Sequence, residues 1–234
     1  MFAGPNGSGK TTVKNGLPSG LFNVYVNPDD IEKAIRSDGL FQLDPYGVEF
    51  TTNELREWFM SSDFLKANNL AEAASTIECR QKTIDFRGLT MNSYYASVLS
   101  DALRRKLLQA SVSFSFETVM SAPDKVELLR EAQSIGFRTY LYYVATDDPQ
   151  INISRVRNRV AEGGHAVPEG KIVERYHRSL GLLREAVRYT NRAYFFDTTA
   201  AGSRYVAEIT NAEEIDLKSP AMPDWFKKAV WDRF

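Results

Sequence analysis

The run Gly4-Pro5-Asn6-Gly7-Ser8-Gly9-Lys10-Thr11 satisfies the pattern G-x-x-x-x-G-K-[ST] at every position, with Thr12 following. Its chemistry is the capture of a polyphosphate. Glycines let backbone N–H groups approach an anion closely, a lysine bridges terminal phosphate oxygens, and a hydroxyl after it ligates the Mg²⁺ that shields the phosphate charge. At about 7% glycine, such a match arises by chance in on the order of one chain in a hundred. It is therefore read as a site, with Gly4, Asn6, Gly7, Ser8, Gly9, Lys10, Thr11 and Thr12 around the ATP phosphates, Lys10 on the β- and γ-phosphates and Thr11 on Mg²⁺.

Phosphate capture alone serves switches, motors and kinases, so ionisable residues just beyond other strands must separate these classes. Asp29 follows the strand-like Val24-Tyr25-Val26 and is positioned to take a proton from an acceptor hydroxyl. Asp29 with Glu32 three residues later also reads as a helix N-cap. Glu117 closes the run Val112-Ser113-Phe114-Ser115-Phe116 and would bring a carboxylate to the same edge as the phosphate loop, with Thr118 beside it. Arg155 and Arg159, four residues apart on one helix face before Gly163-Gly164-His165, suit a hinged lid that neutralises charge on a transferring phosphate. His165 and His177 are too isolated for a metal site. Asp197 and Thr198 fit either the edge of an adenine site or an ordinary turn. Tyr94, Tyr95, Arg104 and Arg105 fit either an acceptor site or the packing of an amphipathic helix.

The elements that must carry these residues alternate strand and helix, the signature of a parallel α/β sheet. Strands are expected at Val24–Val26, Val112–Phe116, Thr139–Ala145 and Ala193–Phe196, with a possible edge strand at Tyr205–Thr210. Gly136 should stop the helix whose apolar stripe is Leu128, Leu129, Ala132 and Ile135. Phe2-Ala3-Gly4 reads as a strand end, so the first strand is expected to begin a few residues before Met1. Residues 38–110 interrupt the rhythm and are expected to form a helical insert between the second and third strands. The whole is expected to be a single domain of 234 residues with that insert and a lid near 155–170.

Composition supports this frame. Hydrophobic content of 43% and charged content of 25% belong to a globular chain. Twenty-nine basic against thirty acidic residues give a net charge of -1, which offers no global field toward nucleic acid or anionic membrane. Cys79 is the single cysteine, excluding an internal disulfide and favouring a reducing, cytoplasmic setting, and no segment reads as a membrane span or signal peptide.

Three motifs taken together, Ala3-Gly4-Pro5-Asn6-Gly7-Ser8-Gly9-Lys10-Thr11-Thr12, Asn27-Pro28-Asp29 and Phe116-Glu117-Thr118-Val119-Met120-Ser121, resemble the zeta toxin family, and Asp147-Asp148-Pro149 with Arg155–Pro168 extends the likeness. The resemblance spans roughly residues 1–37 and 112–198. It implies a P-loop kinase whose catalytic base falls on Asp29, whose acceptor-binding glutamate falls on Glu117 and whose phosphate-loop lysine falls on Lys10, with lid arginines on the ATP phosphates. The founding toxins phosphorylate the 3′-hydroxyl of UDP-N-acetylglucosamine and are held inactive by a small antitoxin, so an antitoxin partner is implied as well. Where those toxins carry a Gly-Thr-Gly-Arg run after the glutamate, this chain has Thr118-Val119-Met120-Ser121. Acceptor choice is therefore expected to reside in the insert. The functions left standing are a small-molecule kinase, a nucleotide-driven ATPase or switch, and a polynucleotide 5′-kinase, the last without support from the net charge.

Overall fold

A computed structural model describes residues 1–18, 20, 22, 24–164 and 166–233, so His165 of the expected lid lies outside the described residues. The chain divides into two compact units, Met1–Leu21 with Glu117–Phe234, and Phe22–Phe116.

The first unit is built on a mostly parallel sheet flanked by helices. Strand β1 (Phe2–Ala3) lies between the end of β6 (Ser115–Thr118) and β7 (Tyr140–Ala145), parallel to both, and β8 (Arg192–Asp197) runs parallel along the other side of β7. The register places Ala3 beside both Thr118 and Tyr143, and Ala145 beside Asp197. The carboxyl ends of four strands therefore finish along one edge, where Gly4, Thr118, Thr146 and Thr198 emerge. β7 reads Tyr-Leu-Tyr-Tyr-Val-Ala with little alternation, as expected of a parallel strand covered on both faces. β9 (Arg204–Thr210) and β10 (Glu214–Leu217) add on antiparallel. The expected edge strand is thus an interior one, and β10 forms that edge of the sheet.

Helices α1 (Lys10–Asn15), α6 (Asp124–Ser134), α7 (Pro149–Ala161), α8 (Glu169–Arg188) and α9 (Asp224–Ala229) belong to this unit. Ile153 and Val156 of α7 pack on Ile172 of α8, while the Tyr143 hydroxyl meets Ser179 Oγ at 2.9 Å. Burial raises the Tyr143 phenol well above the usual tyrosine range, keeping it a neutral hydrogen-bonding group. Gly136, at φ 91°, follows α6 as expected, with Leu128, Leu129 and Ala132 buried, whereas Ile135 of the expected stripe caps the helix and is exposed.

In the second unit β2 (Tyr25–Val26) pairs in parallel with Ser115 and Phe116 at the start of β6. Helix α2 (Pro28–Asp38) packs its buried face, including Ile31 and Ile35, on α5 (Ser93–Gln109). This packing carries the unit beyond the insert expected at 38–110, since β2 and α2 belong to it. Helices α3 (Thr52–Ser61) and α4 (Asp63–Lys66) break at Ser62. A three-stranded antiparallel sheet, β3 (Leu40–Gln42), β5 (Thr83–Asp85) and β4 (Glu78–Arg80), accompanies these helices. Phe59 and Tyr95 pack with ring centroids 6.3 Å apart in the core.

Candidate functional site

The phosphate loop leaves β1 at Gly4 and enters α1 at Lys10. Gly4 has φ 145°, and a Cβ there would lie 2.0 Å from the Val144 carbonyl oxygen; Gly7 has φ 69°, and its Cβ would lie 2.6 Å from the Asn152 carbonyl oxygen. Both clash with backbone, which cannot yield cheaply, so Gly4 and Gly7 are steric requirements of this loop. Inside the turn, Ser8 is 0% exposed. Its Oγ and the Asn6 Oδ1 are buried without a hydrogen-bond partner. Buried polar atoms are normally satisfied, and of these two the Ser8 hydroxyl has a proton to give to an anion in the loop, whereas the Asn6 amide oxygen can only accept.

Lys10 is 7% exposed, and its ammonium donates to the Gly4 and Pro5 carbonyls at 3.0 Å each. Its Nζ also stands 3.9 Å from Glu117 Oε1. The sequence thus brings two of its candidates together, a cation within the loop and a carboxylate from the adjacent strand. Glu117 lies inside β6 rather than after it. The expected strand at 112–116 begins three residues later because α5 continues to Gln109 and Ser111 turns the chain at φ 56°. Thr118 Oγ1 accepts from the Met120 N–H at 3.0 Å, so the first residues after β6 form a local turn. Thr11 and Thr12 are exposed in the first turn of α1.

Asp29 belongs to the second unit. The cap of α2 is Asn27, whose Oδ1 accepts from the Asp29 N–H at 3.0 Å, with Pro28 in the first turn. This corrects the capping alternative for Asp29 with Glu32: Glu32 is buried and accepts from Arg36 Nη2 at 2.7 Å, while Asp29 is exposed. Tyr95 is likewise core, its hydroxyl donating to the Leu70 carbonyl at 2.8 Å, and Tyr94 stacks on Phe64. Arg104 is buried over the Phe116 ring and pairs with Asp101 at 3.1 Å.

Arg155 and Arg159 share α7, as the spacing requires. Arg155 directs its fork at Thr198, donating to Oγ1 at 3.1 Å and to the carbonyl at 2.6 Å. Gly163, at φ 92°, and Gly164, whose N–H donates to the Arg159 carbonyl at 2.8 Å, close the C-terminus of α7. Asp197 is buried and hydrogen-bonded within the fold. It accepts from Trp225 Nε1 at 3.1 Å, Thr199 Oγ1 at 2.6 Å and Arg204 Nη2 at 3.0 Å, tying α9 to the end of β8. Tyr176 donates to the Thr146 carbonyl at 2.6 Å. Burial, reinforced by the carboxylates of Asp147, Asp148 and Asp197, raises its phenol and keeps it protonated. Among the described residues there is no cluster of three or more His, Cys, Asp or Glu side chains suited to a metal, and no helix long and apolar enough to cross a membrane.

A phosphate loop at the carboxyl edge of a parallel sheet, with a strand-end carboxylate beside its lysine, defines the P-loop kinase-like fold. Solved structures of low sequence identity share this fold. The chain aligns over 98% of its length with a chain of the AvrRxo1-ORF1:AvrRxo1-ORF2 complex with sulphate ions, at TM-score 0.56 and 13% identity, covering 62% of that chain. The same complex with ATP matches at TM-score 0.53 and 15% identity, over 93% of this chain and 60% of that one. A chain of the PezAT chromosomal toxin-antitoxin system of Streptococcus pneumoniae aligns with all of this chain and 78% of its own, at TM-score 0.51 and 14% identity. An uncharacterized curated protein of Haemophilus influenzae is 28% identical over 69 residues, which is 30% of this chain and 49% of that protein. The chain thus matches about half the length of that curated relative. No protein-family model matches.

Proposed function

We propose that this protein is an ATP-dependent kinase that transfers the γ-phosphate to a hydroxyl of a small metabolite. The observation that carries the reading is the Lys10 ammonium, held in the turn of the phosphate loop 3.9 Å from Glu117, beside the buried unpartnered hydroxyl of Ser8. A loop completed by a polyphosphate accounts for the glycines, the orphan and the buried lysine together. The shared fold with a structure solved with ATP supports the nucleotide assignment.

In this reading Gly4, Asn6, Gly7, Ser8, Gly9, Lys10, Thr11 and Thr12 hold the triphosphate. The loop fits Mg²⁺ through Thr11, whose hydroxyl lies exposed in the first turn of α1, and the ion when bound neutralises phosphate charge. Asp29 takes the proton of the acceptor hydroxyl as that oxygen bonds to the γ-phosphorus and the bond to ADP breaks. Glu117 and Thr118 orient the acceptor. Arg155 and Arg159 offset the negative charge that gathers on the transferring oxygens. The residues of the insert choose the acceptor, and a nucleotide sugar such as UDP-N-acetylglucosamine is the first compound to try. The toxin-antitoxin system among the structural neighbours supports an antitoxin as a partner to seek. Calorimetry with Mg-ATP on wild type and Lys10→Ala tests the donor half of this reading. Binding to both with equal affinity would remove its basis.

A further inference from the structure

Two polar side chains, Asn152 at 0% exposure and Thr198 at 4%, are buried against the phosphate loop. Asn152, in the first turn of α7, donates from Nδ2 to the Asn6 carbonyl at 2.6 Å and accepts at Oδ1 from Thr146 Oγ1 at 2.5 Å. Thr198, just beyond β8, donates from Oγ1 to the Ser8 carbonyl at 2.7 Å. A hydroxyl has one proton to give, and the Arg155 donor 3.1 Å from the same oxygen occupies a lone pair, leaving that proton for Ser8. Each side chain thus donates a short hydrogen bond to a carbonyl of the phosphate loop, and the Thr198 hydroxyl is nearer the Ser8 carbonyl, at 2.7 Å, than the Ala145 carbonyl, at 3.4 Å.

The consequence follows from peptide geometry. Across a planar trans peptide the carbonyl of one residue and the N–H of the next point in opposite directions. Drawing the Asn6 carbonyl toward Asn152 turns the Gly7 N–H away from α7. Drawing the Ser8 carbonyl toward Thr198 does the same for the Gly9 N–H. Neither amide meets a backbone acceptor among the described residues. The loop lies close against the start of α7, since a Cβ on Gly7 would strike the Asn152 carbonyl oxygen at 2.6 Å, while a Cβ on Gly9 would make an ordinary contact with Thr198 Cγ2 at 3.5 Å.

We infer that Asn152 and Thr198 are positioning residues that set the Asn6–Gly7 and Ser8–Gly9 peptides with their N–H groups facing the nucleotide phosphates, and that Arg155, besides the phosphate role proposed above, holds Thr198 in place in the arrangement seen here. This rests on the kinase reading above and adds to it two residues outside the phosphate-loop motif. Preorganised donors of this kind bind charge without reorganising when it arrives.

The test compares Mg-ATP affinity by calorimetry in wild type, Thr198→Val, Thr198→Ser and Asn152→Asp, alongside each protein's melting temperature. Thr198→Val keeps the size and removes the hydroxyl, and Asn152→Asp keeps the shape and replaces the donor facing Asn6. Loss of a hydrogen bond aimed at a charged group is worth about 10- to 100-fold, so both should bind ATP that much more weakly while folded, and Thr198→Ser should return to near the wild-type value. A lowered melting temperature with wild-type ATP affinity would show a merely structural role and overturn the inference. In wild type the Gly7 and Gly9 amide protons should shift downfield on adding ATP, a readout that needs no variant, and unmoved amides with ATP bound would equally overturn it. A wild type that binds no ATP overturns this inference together with the kinase reading, whereas binding that Lys10→Ala abolishes and Thr198→Val does not overturns this inference alone.

Discussion

The Nζ of Lys10 lies 3.9 Å from Oε1 of Glu117, with the Gly4 and Pro5 carbonyls each 3.0 Å from the same nitrogen. The carbonyls and carboxylate thus hold the ammonium where its charge stays largely out of water. Phosphate oxygens entering the loop offer it stronger partners than neutral carbonyls. Lys10→Ala should therefore weaken Mg-ATP binding about 10- to 100-fold by calorimetry, the range for hydrogen bonds to charged groups.

Glu117→Gln separates donor binding from acceptor use. Removing the carboxylate charge beside Lys10 takes away an anion that competes with the phosphates for the cation, so ATP affinity should hold or rise. Phosphate transfer to an added acceptor should fall, because the group that orients the hydroxyl is gone. An equal loss of ATP affinity would place Glu117 in the structural frame of the loop instead.

Asp29→Asn is a clean test of the base because Asn27, not Asp29, caps α2. An acid in the first helical turn is worth about 0.3–1 kcal/mol through the helix dipole, so the melting temperature should change little. Transfer should fall about 10²- to 10⁴-fold while ATP binding persists. Asn27→Ala should do the reverse, costing about 1 kcal/mol of stability with transfer by the folded protein retained.

The expected lid gives a different readout. If residues 155–170 close over bound nucleotide, their amide hydrogen exchange should slow when a non-hydrolysable ATP analogue and Mg²⁺ are added. Unchanged exchange with nucleotide bound would leave Gly163 and Gly164 as the helix stop they form in this structure and nothing more.

Alkaline pH should weaken the fold. Burial, with a smaller contribution from Asp30, raises the Tyr46 phenol to about 12, and burial raises Tyr142 to about 12 as well. Between the unfolded value near 10 and these folded values, the unfolded chain binds fewer protons than the native one. Stability from these groups is therefore complete below about pH 10 and is lost as pH rises toward 12. Thermal melts across that window should show a falling melting temperature, with a shallower fall in Tyr142→Phe.

How far the sequence discloses this structure depends on the range of the interaction. The phosphate loop is legible because its glycines, lysine and threonines are contiguous and each answers a local steric or charge requirement. β7, β8 and β9 lie within a residue of their expected limits because buried β-branched and aromatic runs mark them. The small sheet of the insert escapes notice because each strand has three residues, too few to show alternation. Ile84 even fits a helical stripe, yet it pairs between Phe41 and Cys79. Asn152 and Thr198 meet the loop across separations of 146 and 190 residues, and an asparagine beside Asp148-Pro149 looks locally like ordinary helix-start chemistry.

The most direct measurement is the fate of the γ-phosphate. Wild-type protein incubated with γ-labelled ATP, Mg²⁺ and either UDP-N-acetylglucosamine or a metabolite extract should transfer label to an organic small molecule, and Lys10→Ala and Asp29→Asn should not. Label appearing only as inorganic phosphate, at the same rate with and without the extract, would contradict the account and leave an ATPase in its place.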